Sequence, residues 1–171
     1  MHSPVIGPRE APVTIVEFFD PACETCRAFY QVVKELMQQY PTEVRLVIRY
    51  APFHQGSEQV VKLLESARRQ DKYLAVLEAV LAAQPQWADH GNPNLELAYK
   101  AAEQAGLDMQ RARADIAAPA LDAVVLQDVR DLTDLKVEKT PTFFVNGRPL
   151  SSFGHKQLAD LVEQEVSKTK K

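Results

Sequence analysis

Apolar positions along the chain follow two periods, and the switches between them outline the elements. Val13 to Phe19 (VTIVEFF) is a run of β-branched and aromatic residues between Pro12 and Pro21, which predicts a buried strand. Phe29, Val32, Val33, Leu36 and Met37 then recur at helical spacing, giving one apolar face that ends near Tyr40 because Pro41 cannot continue it. Val44 to Tyr50 (VRLVIRY) predicts a second strand. One helix between two strands is what a right-handed βαβ crossover requires, so this part of the chain predicts a parallel pair.

From Ser57 to about Leu132 the period is helical throughout. Val60, Leu63, Leu64 and Ala67 mark one stripe, Tyr73, Val76, Leu77 and Val80 the next. Asn92 as N-cap with Pro93 at the first helical position predicts a further start, and Gly106 and Pro119 punctuate the rest of the run. Leu121, Val124, Val125, Asp128 and Leu132 form a last stripe with one polar member. This section reads as a helical insertion of four or five segments. Strand character returns at Thr142 to Val145, and Asn146-Gly147 predicts a two-residue hairpin turn leading to Arg148-Pro149-Leu150, with Pro149 on an edge strand. Leu158, Leu161, Val162 and Val166 predict a closing helix. The expected organisation is an α/β unit made of residues 1–56 and 133–171, interrupted by an insertion at 57–132.

Composition narrows the function classes. The 171 residues suit one core, 46% of them being hydrophobic. Twenty Lys and Arg nearly balance twenty-three Asp and Glu, leaving a net charge of -3 that gives no electrostatic case for nucleic acid. Lys168, Lys170 and Lys171 read as a solvated tail. No apolar run is long enough to cross a bilayer, and Met1-His2-Ser3-Pro4 lacks the charged-then-apolar order of a signal peptide, so localisation has to be argued from chemistry.

The informative feature is that the chain's two cysteines stand together in Cys23-Glu24-Thr25-Cys26. A bridge this short closes too small a loop to constrain the unfolded chain, so reactivity accounts for the pair better than stapling does. A buried structural pair and half of a zinc site are the alternatives. The second needs two more ligands, and His2, His54, His90 and His155 are not spaced as a pair. Arg27 stands where a c-type haem motif requires His. Placed between a strand and its helix, Cys23 meets the positive end of the helix dipole, which favours its thiolate. Cys26, one turn further in, can attack a mixed disulfide formed there. No metal and no cofactor is expected.

The strand VTIVEFF, the C-x-x-C opening a helix, the helical insertion and the downstream Thr140-Pro141-Thr142-Phe143-Phe144-Val145-Asn146-Gly147 together resemble the DsbA-like thiol-disulfide oxidoreductase branch of the thioredoxin superfamily. The likeness covers nearly the whole chain and includes exported bacterial proteins with an APVTIVEF-type opening. It implies an α/β thioredoxin-like fold with a helical insertion, and a cis peptide at Pro141 packed against the cysteines, with Thr140 offering backbone groups to a substrate strand. Glu17, by itself either a solvent-facing residue or a functional one, is by resemblance a buried acid beneath the cysteines that helps move the proton of the second thiol. Arg49 is considered as its partner. The resemblance further implies substrate proteins bearing thiols or disulfides, a protein that recycles the pair, and a periplasmic or otherwise exported location.

One departure concerns electron flow. Strong oxidants of this kind resemble C-P-H-C, whereas the inner residues here are Glu24 and Thr25. A carboxylate beside Cys23 is expected to oppose its ionisation and make the disulfide less oxidising, unless His54 or His155 folds back to offset it. Trp87, Phe29 and Tyr30 read first as core residues and second as a peptide groove. Two other functions fit the same pattern: a non-catalytic peptide-binding or chaperone module using the groove at Pro141, and a glutathione-dependent transferase of related fold, which would have no need of Cys26.

Overall fold

The computed structural model describes residues 2–171. Both long strands fall where the β-branched runs predict them, β2 at Val13–Phe19 and β3 at Val44–Tyr50. They pair in parallel across helix α1, Glu24–Gln39. A two-residue strand β1, Val5–Ile6, pairs antiparallel with β3 and is too short to show a period in the sequence. Strand β4, Thr142–Val145, lies antiparallel to β2 and leads through the hairpin into β5, Arg148–Pro149. The sheet is five-stranded in the order β1-β3-β2-β4-β5, which puts Pro149 on an edge as expected. Asn146 and Gly147 take positive φ values of 48° and 79°, the conformation that a two-residue hairpin needs and that Asn-Gly adopts at little cost.

Six helical segments separate β3 from β4, where four or five were expected. They are α2 Ser57–Arg69, α3 Tyr73–Ala82, α4 Gln84–Trp87, α5 Leu95–Gln104, α6 Met109–Ala117 and α7 Pro119–Asp134. The four-residue α4 is too short to carry a stripe. Asn92 and Pro93 do not open a helix as expected; α5 begins two residues later with Asn94 at its N-cap. Pro119 punctuates the run as expected, opening α7 just after α6 ends, where its missing N–H is harmless.

Each strand's alternation divides its side chains between two layers. Val13, Ile15 and Phe19 of β2 join α1, the insertion and the closing helix α8, His155–Lys168, in the larger core. Phe18, with Val16 and Phe144, packs on Leu132 and Val129 of α7 on the other face. Helix α7 thus runs through residue 132 and covers the sheet itself. Its one polar stripe member, Asp128, is 1% exposed and accepts from Arg49 Nε at 2.8 Å and from the Tyr50 N–H at 2.9 Å, which ties α7 to β3.

Candidate active site

The turn from β2 into α1 is built by Asp20. Fully buried, it accepts from the Ala22 N–H at 2.9 Å, the two-residue reach that Asp favours in turns, and from Ser57 Oγ at 2.5 Å. Its other oxygen receives the N–H groups of Phe53 and His54 and the His54 ring at 2.7 Å. The carboxylate therefore joins β2, the segment after β3 and the first turn of α2 behind the cysteines.

Cys23 is the N-cap of α1 in extended conformation, φ -86° and ψ 123°. Its residue is 8% exposed, against 0% for Cys26. Both are free thiols. The Cys23 thiol donates to the Thr140 carbonyl at 3.6 Å, and Thr140-Pro141 is a cis peptide bond. Hydrogen bonding from the Cys26 thiol is the largest influence on Cys23; with smaller help from the Thr140 side chain and the N–H groups of Cys26 and Thr25, it outweighs burial and lowers the Cys23 pKa to about 5. Cys26 is driven far the other way, by burial first, then by its hydrogen bond to Cys23 and by the charge of Glu17. The two sulfurs are thus pushed in opposite directions, Cys23 toward the thiolate and Cys26 toward the protonated thiol.

Glu17 stands on β2 across from Ile48 and Phe143 and is 2% exposed. Its Oε2 has no partner, and burial, with a smaller contribution from the Cys23 charge, pushes its pKa up to about 8. Arg49 is not its partner. Arg49 pairs with Phe18, one position on, so strand alternation turns it to the other face, where it binds Asp128 and Asp131 and lies 5.6 Å from the Phe18 ring.

Glu24 does not act on Cys23 as expected. It is exposed and points to His90, whose Nε2 is 3.4 Å from its Oε1, and the Cys23 thiolate is favoured despite it. His54 does fold back, held by Asp20 and set against His90 with ring centroids 4.2 Å apart and planes tilted by 44°. His155 instead opens α8 beside Val32 and Glu35, further along α1. Thr25 is exposed and lines a cavity of 390 Å³ with Thr140, Pro141, Phe143 and Phe153. Phe29, half-buried, supports that cavity from behind, 5.6 Å from the Phe143 ring and 4.7 Å from the Phe153 ring. Trp87 is core, its indole N–H held by the Val80 carbonyl at 2.9 Å.

Asp20 and Gln84 carry no expectation from the sequence, and His90 enters it only as a metal-ligand candidate without a spaced partner. Asp20-Pro21 was a readable turn signal, but Gln84 and His90 sit in the insertion with nothing local to mark them. Among the described residues, the cluster of metal-ligand type is His2, Asp128 and Asp131, which contains neither cysteine and already holds the Arg49 guanidinium.

The family model described as Thioredoxin matches residues 1–164. Among solved structures, a thioredoxin-like oxidoreductase from Silicibacter pomeroyi DSS-3 is 32% identical, with a TM-score of 0.82 over 95% of this chain and 91% of that one. BdbD from Bacillus subtilis, 21% identical, superposes with a TM-score of 0.85 over 97% and 94%, and alpha-DsbA1 from Wolbachia pipientis, 18% identical, with 0.81 over 97% and 92%. These last two share the fold, a thioredoxin-like α/β sheet with a helical insertion. The Na(+)/H(+) antiporter NhaA 3 of Salinispora tropica is 39% identical over 148 residues, which are 84% of this chain and 22% of the antiporter. The chain spans only that 22% of the relative's length, so ion transport is not carried across.

Proposed function

The chain belongs to the thioredoxin family, and from that premise we propose that it is a protein thiol–disulfide oxidoreductase whose redox centre is Cys23-Glu24-Thr25-Cys26. The observation that carries the reading is the placement of the two sulfurs, Cys23 capping a helix N-terminus against the cis Thr140-Pro141 peptide, which favours its thiolate, and Cys26 buried beside it.

The Cys23 thiolate attacks one sulfur of a substrate disulfide; the S–S bond breaks, its electron pair leaves on the distal sulfur, and a mixed disulfide forms. Glu17 accepts the Cys26 proton. The Cys26 thiolate then attacks Cys23, releasing the second substrate thiolate and leaving Cys23 and Cys26 joined. Run in reverse, the same steps oxidise a dithiol substrate. Thr140 and Pro141 border the sulfur and supply the edge on which an extended substrate segment pairs. The cavity there, lined by Phe143 and Phe153, suits an apolar side chain.

The α/β unit, residues 1–56 and 133–171, carries the chemistry, and the insertion at 57–132 shapes which proteins fit. Disulfide exchange of this kind works where disulfides persist, which with the DsbA-like resemblance supports a periplasmic or exported location and a second protein that recycles the pair. No helix among the described residues is long and apolar enough to cross a membrane. Insulin reduction and the refolding of a reduced disulfide protein test the reading. Turnover abolished by Cys23→Ser, with mixed disulfides trapped by Cys26→Ser, supports it; peptide binding without turnover in the unaltered protein would make the chain a binding module instead.

A further inference from the structure

We propose that Gln84 is the positioning residue through which the helical insertion holds the Cys23 peptide in its capping conformation, and so sets the redox potential of the cysteine pair. This rests on Cys23 being the nucleophile. Gln84 opens the short helix α4, is 2% exposed, and donates through Nε2 to the carbonyls of Pro21 at 2.8 Å and Cys23 at 3.0 Å. Both acceptors are carbonyl oxygens, so only the amide NH₂ can face them and the orientation is fixed.

Two features separate this contact from ordinary packing. The Gln84 Oε1 is buried with no partner, a desolvation cost that an apolar side chain would avoid. The amide is therefore held for its two donor contacts and not for apolar packing. The Cys23 carbonyl also receives the Arg27 N–H at 3.1 Å, the first hydrogen bond of α1. Two donors on one oxygen fix the plane of the Cys23-Glu24 peptide, and with it the ψ of 123° that turns the Cys23 sulfur toward the N–H groups of Thr25 and Cys26. On the other side of the nucleophile, the Cys23 N–H is held by the Asp20 carbonyl at 3.1 Å. Bridging Pro21 and Cys23, Gln84 closes the bracket from a part of the chain more than sixty residues away.

The test compares Gln84→Leu with Val80→Ala, which deletes buried apolar atoms from the preceding helix and leaves the amide alone. The reduced proteins are titrated by thiolate absorbance and equilibrated with glutathione buffers, and their melting temperatures are recorded. Val80→Ala should lower the melting temperature only. Gln84→Leu should weaken the Cys23 acid constant about threefold and move the glutathione equilibrium about threefold toward the disulfide, about 14 mV at 30 mV per tenfold. Gln84→Met, of similar length and without a donor, should do the same and replaces Leu if that variant does not fold. Glutamine variants that lose only stability, or that shift the equilibrium toward the dithiol, overturn the assignment. Neither readout needs a protein substrate, so failure of the proposed activity would be seen separately.

Discussion

The Cys23 thiol reaches the main-chain carbonyl of Thr140 at 3.6 Å, although 117 residues separate them. The proposed nucleophile and the backbone edge proposed to bind substrate are therefore one surface, continued by the cavity under the 55%-exposed Phe153. Removing that ring leaves the sulfurs untouched but takes away apolar area next to them. Phe153→Ala should raise KM for an apolar peptide disulfide about tenfold, as the loss of one large buried contact at about 25 cal/mol per Å² allows, and leave kcat within twofold. Steady-state kinetics on apolar and polar peptides would check it, the polar one being little affected.

The low pKa of Cys23 has the Cys26 thiol as its largest cause, so it should depend on that partner more than on the dipeptide between them. Cys26→Ala should raise the Cys23 midpoint clearly above about 5, and Cys26→Ser, which keeps a donor, should raise it less. Glu24→Gln should move it least, because the Glu24 carboxylate is turned to His90 and solvent, and exposed pairs of this kind contribute only about 0–1 kcal/mol. Thiolate absorbance against pH orders the three variants.

The elements that could be read from the sequence were those whose own side chains carry the period: VTIVEFF, VRLVIRY and the Asn146-Gly147 turn each state their structure locally. The Cys23-Cys26 pair was legible for the same reason, as two cysteines at a helix start. The environment of the pair was not. Arg49 could be placed on the wrong side of the sheet because its face depends on register with Phe18, and the relation of Glu24 to His90 depends on a loop of the insertion. Such contacts are fixed by long-range packing, which no local pattern encodes.

Asp20 carries five acceptor contacts from three segments, and its removal leaves buried donors without a partner. Asp20→Ala should cost about 3 kcal/mol or more, the range for breaking a buried charged network. Asp20→Asn keeps the shape but aims an NH₂ at groups that themselves donate, so it should recover little of the loss. Urea denaturation of both reduced variants would show it, as a fall in midpoint with nearly unchanged slope.

Glu17 gives the sharpest dependence on pH. Burial raises its folded pKa from 4.5 to about 8, so between those values the unfolded chain is ionised while the folded one keeps its proton. The folded state then binds more protons, and stability falls as pH rises. This contribution of the carboxyl is fully present below pH 4.5 and is lost as pH climbs through about 8. Glu17→Gln removes the titration, so the reduced variant should lose this downward component and gain on the parent most at pH 8 and above. Catalysis should respond in the opposite sense. If Glu17 takes the Cys26 proton, release of substrate from the mixed disulfide should speed up in the parent as pH rises toward about 8. In Glu17→Gln it should be slower by at least about tenfold, toward the lower end of what a positioned proton acceptor contributes, and should lose that pH dependence. Denaturation midpoints and the decay of a preformed mixed disulfide, both followed from pH 5 to 9 in about half-unit steps, measure the two effects on the same protein. A variant that is stabilised at high pH but resolves the mixed disulfide at the parental rate would leave Glu17 a buried acid with no part in the chemistry.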